Sequence, residues 1–319
     1  MKEENLLLII PKFFSYEKYI KNELEKIGYK VCLIYENADE FSSKSKFFIR
    51  LAGSKKKYFE GYYTKLLKNK SFDIILAIRA SSLCGNSIKE IRKNSPNAKF
   101  YMYQWDSVKN NPNAVEIAPY FERVSTFDLE DAKKYGWNYR PLFYIEPVVY
   151  TETRKYDLAY ICTLHSQRVK IFRKLKETDC IQFLYMYSKF SHFVKERYLN
   201  RNTDFSGVSL KNVRFKSLSL ENSNEIMAAS NIVVDYTHLS QTGFTMRTCE
   251  AIGHRCKLVT NNKLVKEADF YNENNVYIYD VDNFQIPESF INSPYQELSK
   301  EIYERYSISN WIKEIINYE

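Results

Sequence analysis

The chain has 319 residues, 45% of them hydrophobic, and a formal net charge of +8, so it holds enough apolar material for two cores and is not a disordered chain. Only 8 glycines and 8 prolines stand beside 27 tyrosines and 21 phenylalanines, which excludes collagen-like and low-complexity architectures. The positive charge points to a phosphorylated or polyanionic partner or an anionic membrane surface. Nucleic acid is not expected, because zinc-finger spacing, an aromatic RNA-binding signature and a basic region followed by heptads are all missing.

Leu6 to Ile10 is a short apolar strand, Tyr16 to Ile27 has helical periodicity and stops at Gly28, and Val31 to Tyr35 is apolar again, a strand-helix-strand unit closed right-handed. The turn Pro11-Lys12-Phe13-Phe14-Ser15 replaces a glycine-rich fingerprint, so the amino-terminal half is not expected to hold a dinucleotide. A helix over Tyr58 to Leu67, a strand over Asp73 to Ile78, a helix over Asn86 to Lys93 and a strand over Lys99 to Tyr103 follow. That last strand delivers Trp105-Asp106 to the carboxyl edge of the sheet. There Asp106 either takes a proton from a hydroxyl, its pKa raised beside an aromatic, or caps the next helix. Val124 to Phe127 and Asn138 to Tyr144 complete six strands alternating with helices, the pattern of a doubly wound parallel sheet. The proline-bearing stretch from Pro147 to Lys155 reads as a linker.

The second half repeats the alternation. Tyr156 to Cys162 is a strand, and a polar loop ending in Arg168 leads into a helix. This is a place for a phosphate, since an arginine at a helix amino terminus is electrostatically poor unless an anion faces it. Its alternative is a solvent-exposed first-turn arginine. Asn231 to Asn262 then reads as strand, loop, helix, strand: Asp235 ends the β-branched run, Gln241 and Gly243 lie in the loop, and Thr245 caps the helix. Gly243, Arg247 and Glu250 fall at i, i+4 and i+7 and share one face. A guanidinium there suits a diphosphate and a carboxylate suits two vicinal ribose hydroxyls; the plainer alternative is an exposed i, i+3 ion pair. The tail from Tyr295 to Tyr318 has apolar residues at helical spacing and no breaker.

Six scattered cysteines without a C-x-x-C pair fit a reducing compartment. The amino terminus lacks a secretory h-region and no apolar run is long enough to span a bilayer, so a cytoplasmic, soluble protein is expected, with peripheral membrane contact as a further expectation. Asp280-Val281-Asp282 is a D-x-D; placed after the cradle is complete, it is read as a turn rather than a metal site. His165, His238 and His254 are too loosely spaced to define a catalytic set.

The run Asp235, then Gln241-Thr-Gly-Phe-Thr-Met-Arg-Thr-Cys-Glu250, Lys257-Leu-Val-Thr-Asn-Asn262 and Phe270-Tyr271 resembles the GT-B class of glycosyltransferases, as found in bacterial capsule, lipopolysaccharide and exopolysaccharide clusters. The resemblance covers the second half by motif and the first half by architecture and Trp105-Asp106. It implies an α/β chain of two Rossmann-like domains facing across a cleft. The acceptor-side domain is expected over residues 1–148, the nucleotide-sugar domain over 149–296, and a terminal helix, 297–319, returning to the first. It also implies transfer of a sugar from a nucleoside diphosphate sugar to a hydroxyl of a lipid-linked oligosaccharide, with Asp106 as base and no metal or other cofactor. Arg168, Gln241, Gly243, Thr245, Arg247, Glu250 and Lys257 would bind the donor. Thr242 stands where the commonest retaining pattern has a glutamate, so stereochemistry stays open. A sugar-nucleotide epimerase of the same shape and a non-catalytic two-lobed sugar receptor are the rival readings.

Overall fold

The computed structural model describes residues 4–36, 54–145, 154–165, 167–203, 205, 208–238 and 241–316. They form two compact units, Met1–Leu142 with Ile308–Glu319, and Phe143–Ser307.

In the first unit, β1 (Asn5–Ile10) and β3 (Ile74–Ile78) are short apolar runs, buried almost throughout, as strands covered by helices on both faces must be. With β2 (Lys30–Tyr35), β4 (Lys99–Gln104), β5 (Arg123–Thr126) and β6 (Asn138–Tyr139) they pair in the order β2-β1-β3-β4-β5-β6, every pair parallel. The crossovers carry α1 (Tyr16–Lys26), α2 (Lys55–Leu67), α3 (Gly85–Asn94), α4 (Asn113–Ile117) and α5 (Leu129–Tyr135). Local chemistry sets the ends of α5: the Asp128 side chain accepts from the N–H groups of Glu130 and Asp131, and Gly136 stops the helix at φ 68°. The expected strand Asn138 to Tyr144 is only two residues long. Pro141 has no N–H to give a ladder, and Tyr144 instead makes a lone bridge with Ser307.

The second unit holds β7 (Tyr156–Thr163), β8 (Gln182–Tyr187), β9 (Val213–Arg214), β10 (Ser230–Val234), β11 (Lys257–Thr260) and β12 (Val276–Ile278), ordered β12-β11-β10-β7-β8-β9 and all parallel. Its helices are α6 (Arg168–Leu175), α7 (Phe190–Val194), α8 (Leu220–Ala228), α9 (Met246–Gly253), α10 (Glu288–Asn292) and α11 (Lys300–Arg305). Strand order reverses between β1 and β3 in the first unit and between β7 and β10 in the second. Open α/β sheets bind ligands outside the carboxyl ends of the strands at such points.

Of the expected linker, residues 147–153 lie outside the described residues. Arg154 is no tether: its guanidinium donates to the carbonyls of Ser230, His254 and Arg255, the latter two at 3.0 and 2.9 Å, closing the carboxyl end of α9. The expected single end helix is two. It breaks at Tyr306, whose hydroxyl donates to Asp269 Oδ1 at 2.5 Å. After the break, α12 (Ile308–Ile316) belongs to the first unit and packs on α1 and β4. Ile308, Trp311, Ile312, Ile315 and Ile316 form its buried stripe, Trp311 meets the Tyr103 ring edge-on at 4.7 Å, and Glu314 pairs with the buried Arg140 at 2.8 Å.

Candidate functional site

The carboxyl end of β10 delivers Asp235, which is buried. Burial raises its carboxyl pKa against the opposing pull of Arg168, of a Thr245 hydrogen bond and of Arg247. Thr237 Oγ1 and Thr248 Oγ1 lie 3.3 and 3.5 Å from Asp235 Oδ2, so this carboxylate ties the strand end to the first turn of α9. Thr245 caps that turn, its side chain accepting from Thr248 N at 3.2 Å. Two asparagines beyond β11 hold the intervening loop. Asn261 brackets Thr237 with bonds of 2.7 and 2.9 Å, and Asn262 Nδ2 donates to the carbonyls of Thr242 and Gly243, each at 3.3 Å. Gln241 is half-buried in this loop with its N–H on His238 O at 2.9 Å; residues 239 and 240 lie outside the described residues.

Arg168 opens α6 at the end of the neighbouring strand β7 and reaches this loop, Nη2 donating to Tyr236 O at 3.3 Å and the guanidinium lying 5.8 Å from the Tyr236 ring centroid. Its Nε is buried without a hydrogen-bond partner among the described residues, so it is not the solvent-exposed arginine of the plainer reading. A buried donor without an acceptor costs about 1–3 kcal/mol, and an anionic ligand at the switch point is one group able to relieve it. Next to it, His165 is driven down to about 4 by burial and by Arg168, so it is neutral at neutral pH.

Three expected residues sit differently from the sequence reading. Gly243 and Glu250 are buried rather than lining an open polar face. Arg247 Nη1 lies 2.8 Å from Glu250 Oε2 and 3.2 Å from Ser223 Oγ of α8, so in this structure the pair is a mostly enclosed clasp that reaches a second helix, not the exposed pair of the plainer reading. Lys257 does not neutralise a diphosphate at the strands' carboxyl edge. It is the first residue of β11, at the opposite end of the sheet, where Nζ donates to the carbonyls of Phe290, Ile291 and Ser293, the last two at 3.0 and 2.5 Å. It thereby closes the carboxyl terminus of α10, and burial lowers its pKa to about 8. Asp280 folds a turn, its Oδ1 accepting from the N–H groups of Asp282 and Asn283 at 2.8 and 3.0 Å, while Asp282 pairs with Lys170.

In the first unit Asp106 does not cap α4, which begins after Pro112. It pairs with Arg79 Nε at 3.1 Å, and its side chain is 34% exposed. Burial raises its pKa while Arg79 holds it down. The sequence reading missed the rest of this cluster. Arg79 and Ala80, just beyond β3, both take left-handed backbone conformations at φ 68° and 55°, a strain of the kind concentrated at functional sites. Glu36, at the end of β2 and fully buried, anchors that turn: Ser81 N and Oγ donate to it at 2.8 and 3.1 Å, and Arg79 Nη1 lies 3.7 Å away. Burial pushes the Glu36 carboxyl up to about 7 despite these partners. The available signal was a charged residue immediately after an apolar strand at the strand-order reversal. Beside the cluster, Phe13 and Phe14 are 46% and 51% exposed, and Phe13 lies 5.9 Å from Trp105, offering an aromatic face at the same sheet edge.

No family model and no curated protein sequence matches the chain. Solved structures do. A UDP-N-acetylglucosamine 2-epimerase aligns over 99% of this chain and 95% of its own at TM-score 0.54 and 9% identity. A UDP-GlcNAc 2-epimerase from Neisseria meningitidis, bound to UDP-GlcNAc, covers 98% of each chain at TM-score 0.51 and 9% identity. The calicheamicin glycosyltransferase CalG4 aligns over 99% of this chain and 95% of its own at TM-score 0.41 and 10% identity, a likeness too distant to bear an argument. The chain has a GT-B fold. At these identities the likeness fixes architecture and leaves activity to the residues.

Proposed function

We propose that the chain is an enzyme acting on a nucleoside diphosphate sugar, and specifically a glycosyltransferase delivering the sugar to a hydroxyl of a lipid-linked oligosaccharide. The observation that carries this reading is Arg168, a guanidinium with a buried, partnerless Nε at the β7/β10 switch point, beside the capped amino terminus of α9. The diphosphate would lie against Arg168 and the Gln241, Gly243 and Thr245 loop, where a cation and helix N–H groups favour negative charge. Arg247 would exchange Glu250 for phosphate oxygens, freeing Glu250 for the ribose hydroxyls. As the anomeric C–O bond breaks, the leaving diphosphate gains charge that these donors stabilise. The acceptor oxygen forms the new bond and would give up its proton to a base, the role proposed for Asp106, whose carboxyl pKa burial raises against the pull of Arg79. The aromatic face of Phe13 and Trp105 would support the acceptor sugar.

Arg168→Ala should weaken nucleoside diphosphate binding about 10- to 100-fold by calorimetry, the worth of a charge-assisted hydrogen bond. Asp106→Asn should lower turnover about 100-fold or more with donor affinity unchanged; near wild-type turnover would remove Asp106 from the mechanism. The reading includes no metal, so activity should survive EDTA. The second reading is a sugar-nucleotide epimerase, favoured by the fold likeness at TM-score 0.54. One reaction separates the two: donor incubated with and without acceptor glycan yields a glycoside only with acceptor in one case, and a free epimer without it in the other.

A further inference from the structure

Among the described residues ten large hydrophobic side chains are exposed, and five of them, Phe190, Tyr198, Leu199, Leu210 and Phe215, fall within residues 190–215 of the second unit. Chance scatter of single apolar residues is ordinary on a protein surface, but concentration marks an interaction site. The segments that carry them are fastened together. Phe190 of α7 meets Phe215, just past β9, edge to face at 5.2 Å. Arg197, in the π-helical turn Lys195–Leu199 that continues α7, donates to Val208 O just ahead of the 3-10 turn Leu210–Asn212. Buried Phe193 backs the assembly, 5.8 Å from Phe215 and 6.1 Å from Phe205.

Cations are interleaved with these side chains. Lys189, Lys195, Arg201, Lys211, Arg214 and Lys216 are all exposed, and the carboxylate of Glu196 is taken up by Asn200 and Asn202 at 2.8 and 3.1 Å. This composition separates three kinds of partner. The core of a protein interface is depleted in lysine, and a lysine among every few apolar residues would have to be desolvated there. A nucleic acid would use the cations but has no use for Leu199, 76% exposed, or Leu210, 54% exposed, which offer no face for base stacking. A bilayer uses both, taking aliphatic and aromatic tips into the acyl boundary while lysines and arginines stay at the phosphates, with a tyrosine at the level between.

We infer that this stretch of the second unit, with exposed Phe190, Tyr198, Leu199, Leu210 and Phe215 and six exposed cations interspersed among them, docks on the surface of an anionic lipid bilayer. Phe190 and Phe215 follow the carboxyl ends of β8 and β9, the same sheet edge on which Arg168 and Asp235 lie. The docking surface names where a lipid-linked acceptor would be met, but it stands on exposure and charge alone and does not need glycosyl transfer to be correct.

The test is co-sedimentation of the full chain with vesicles of phosphatidylcholine alone and of phosphatidylcholine with about one-third phosphatidylglycerol, at about 0.1 M and about 0.5 M salt. Binding should require the anionic lipid and fall steeply at the higher salt. Each cation near such a surface is worth about a fivefold factor in affinity, so Lys211→Glu with Lys216→Glu should weaken binding about 25-fold or more. Phe190→Ser with Leu199→Ser should weaken it about tenfold or more, with the thermal unfolding midpoint and nucleoside diphosphate affinity unchanged. Full vesicle binding by the serine pair would overturn the inference, as would equal binding to the two vesicle types. A wild-type dimer made monomeric by Leu199→Ser would overturn it in favour of self-association. Binding is read without donor or turnover, so a failed transferase assay and a failed vesicle assay are distinct results.

Discussion

Replacing Glu36 by glutamine should stabilise the protein at alkaline pH and do little at acid pH. Glu36 is fully buried, and its pKa is lifted from 4.5 to about 7 by burial, with Arg79 and Ser81 opposing. The native state therefore holds a proton that the unfolded chain releases between those two values. With a raised folded pKa, the carboxyl contributes no penalty below the unfolded value and an increasing one as pH climbs through the folded value. At about 1.36 kcal/mol per pKa unit, the penalty is roughly 0.8 kcal/mol at pH 5 and roughly 3.3 kcal/mol at pH 8. Glutamine keeps an acceptor for Ser81 and never ionises. The stability difference between Glu36→Gln and wild type, from urea unfolding of each at both pH values, should thus move by about 2.5 kcal/mol in favour of the variant. A difference that does not change with pH, or that moves the other way, would mean that Arg79 holds Glu36 charged and that burial does not win.

Lys257→Met should cost about 3 kcal/mol of stability, because carbonyls of Phe290, Ile291 and Ser293 lose their donor, while calorimetry finds nucleoside diphosphate affinity unchanged. Gly253→Ala places a Cβ 2.5 Å from Tyr144 Cγ; a destabilisation of about 2–4 kcal/mol in urea melts is expected, and a neutral result would show that Tyr144 can move aside. In the closed Arg247–Glu250 clasp, Glu250→Gln should cost little stability yet lower nucleoside diphosphate affinity about tenfold if the carboxylate turns to the ribose on binding; unchanged affinity assigns the clasp to packing alone.

The sheets were legible because each core strand is a brief run of apolar residues between polar loops, and parallel burial leaves no alternation to confuse the reading. Thr245 was legible as a cap because a short hydroxyl before an apolar-faced helix has one obvious use. Side-chain destinations were not. Lys257 sits in the motif-bearing run but at the amino end of its strand, and a linear motif does not say which edge of a sheet a residue faces. Arg247 and Glu250 do share a helix, but Gly243 precedes the Thr245 cap and lies off that helix, and the Ser223 and Met227 that enclose Arg247 come from α8, twenty or more residues away. Glu36 and Arg79 meet only because β2 and β3 flank β1, an adjacency that strand order alone supplies. The two-part tail escaped notice since Tyr306 is apolar in pattern yet spends its hydroxyl on Asp269.

The first unit is assembled from both extremities of the chain, with the stripe of Ile308, Trp311, Ile312, Ile315 and Ile316 closing it. On the ribosome that unit must therefore wait, incomplete, while the entire second unit is synthesised and free to fold. Removing the segment past Ser307 would forfeit the burial of these five large side chains, worth roughly 1.5–3 kcal/mol each and together comparable to the whole stability of a typical domain. A lesion in Ile308–Ile316 would then register as loss of the amino-terminal half, and the first unit of a nascent chain would stay open until that helix has emerged.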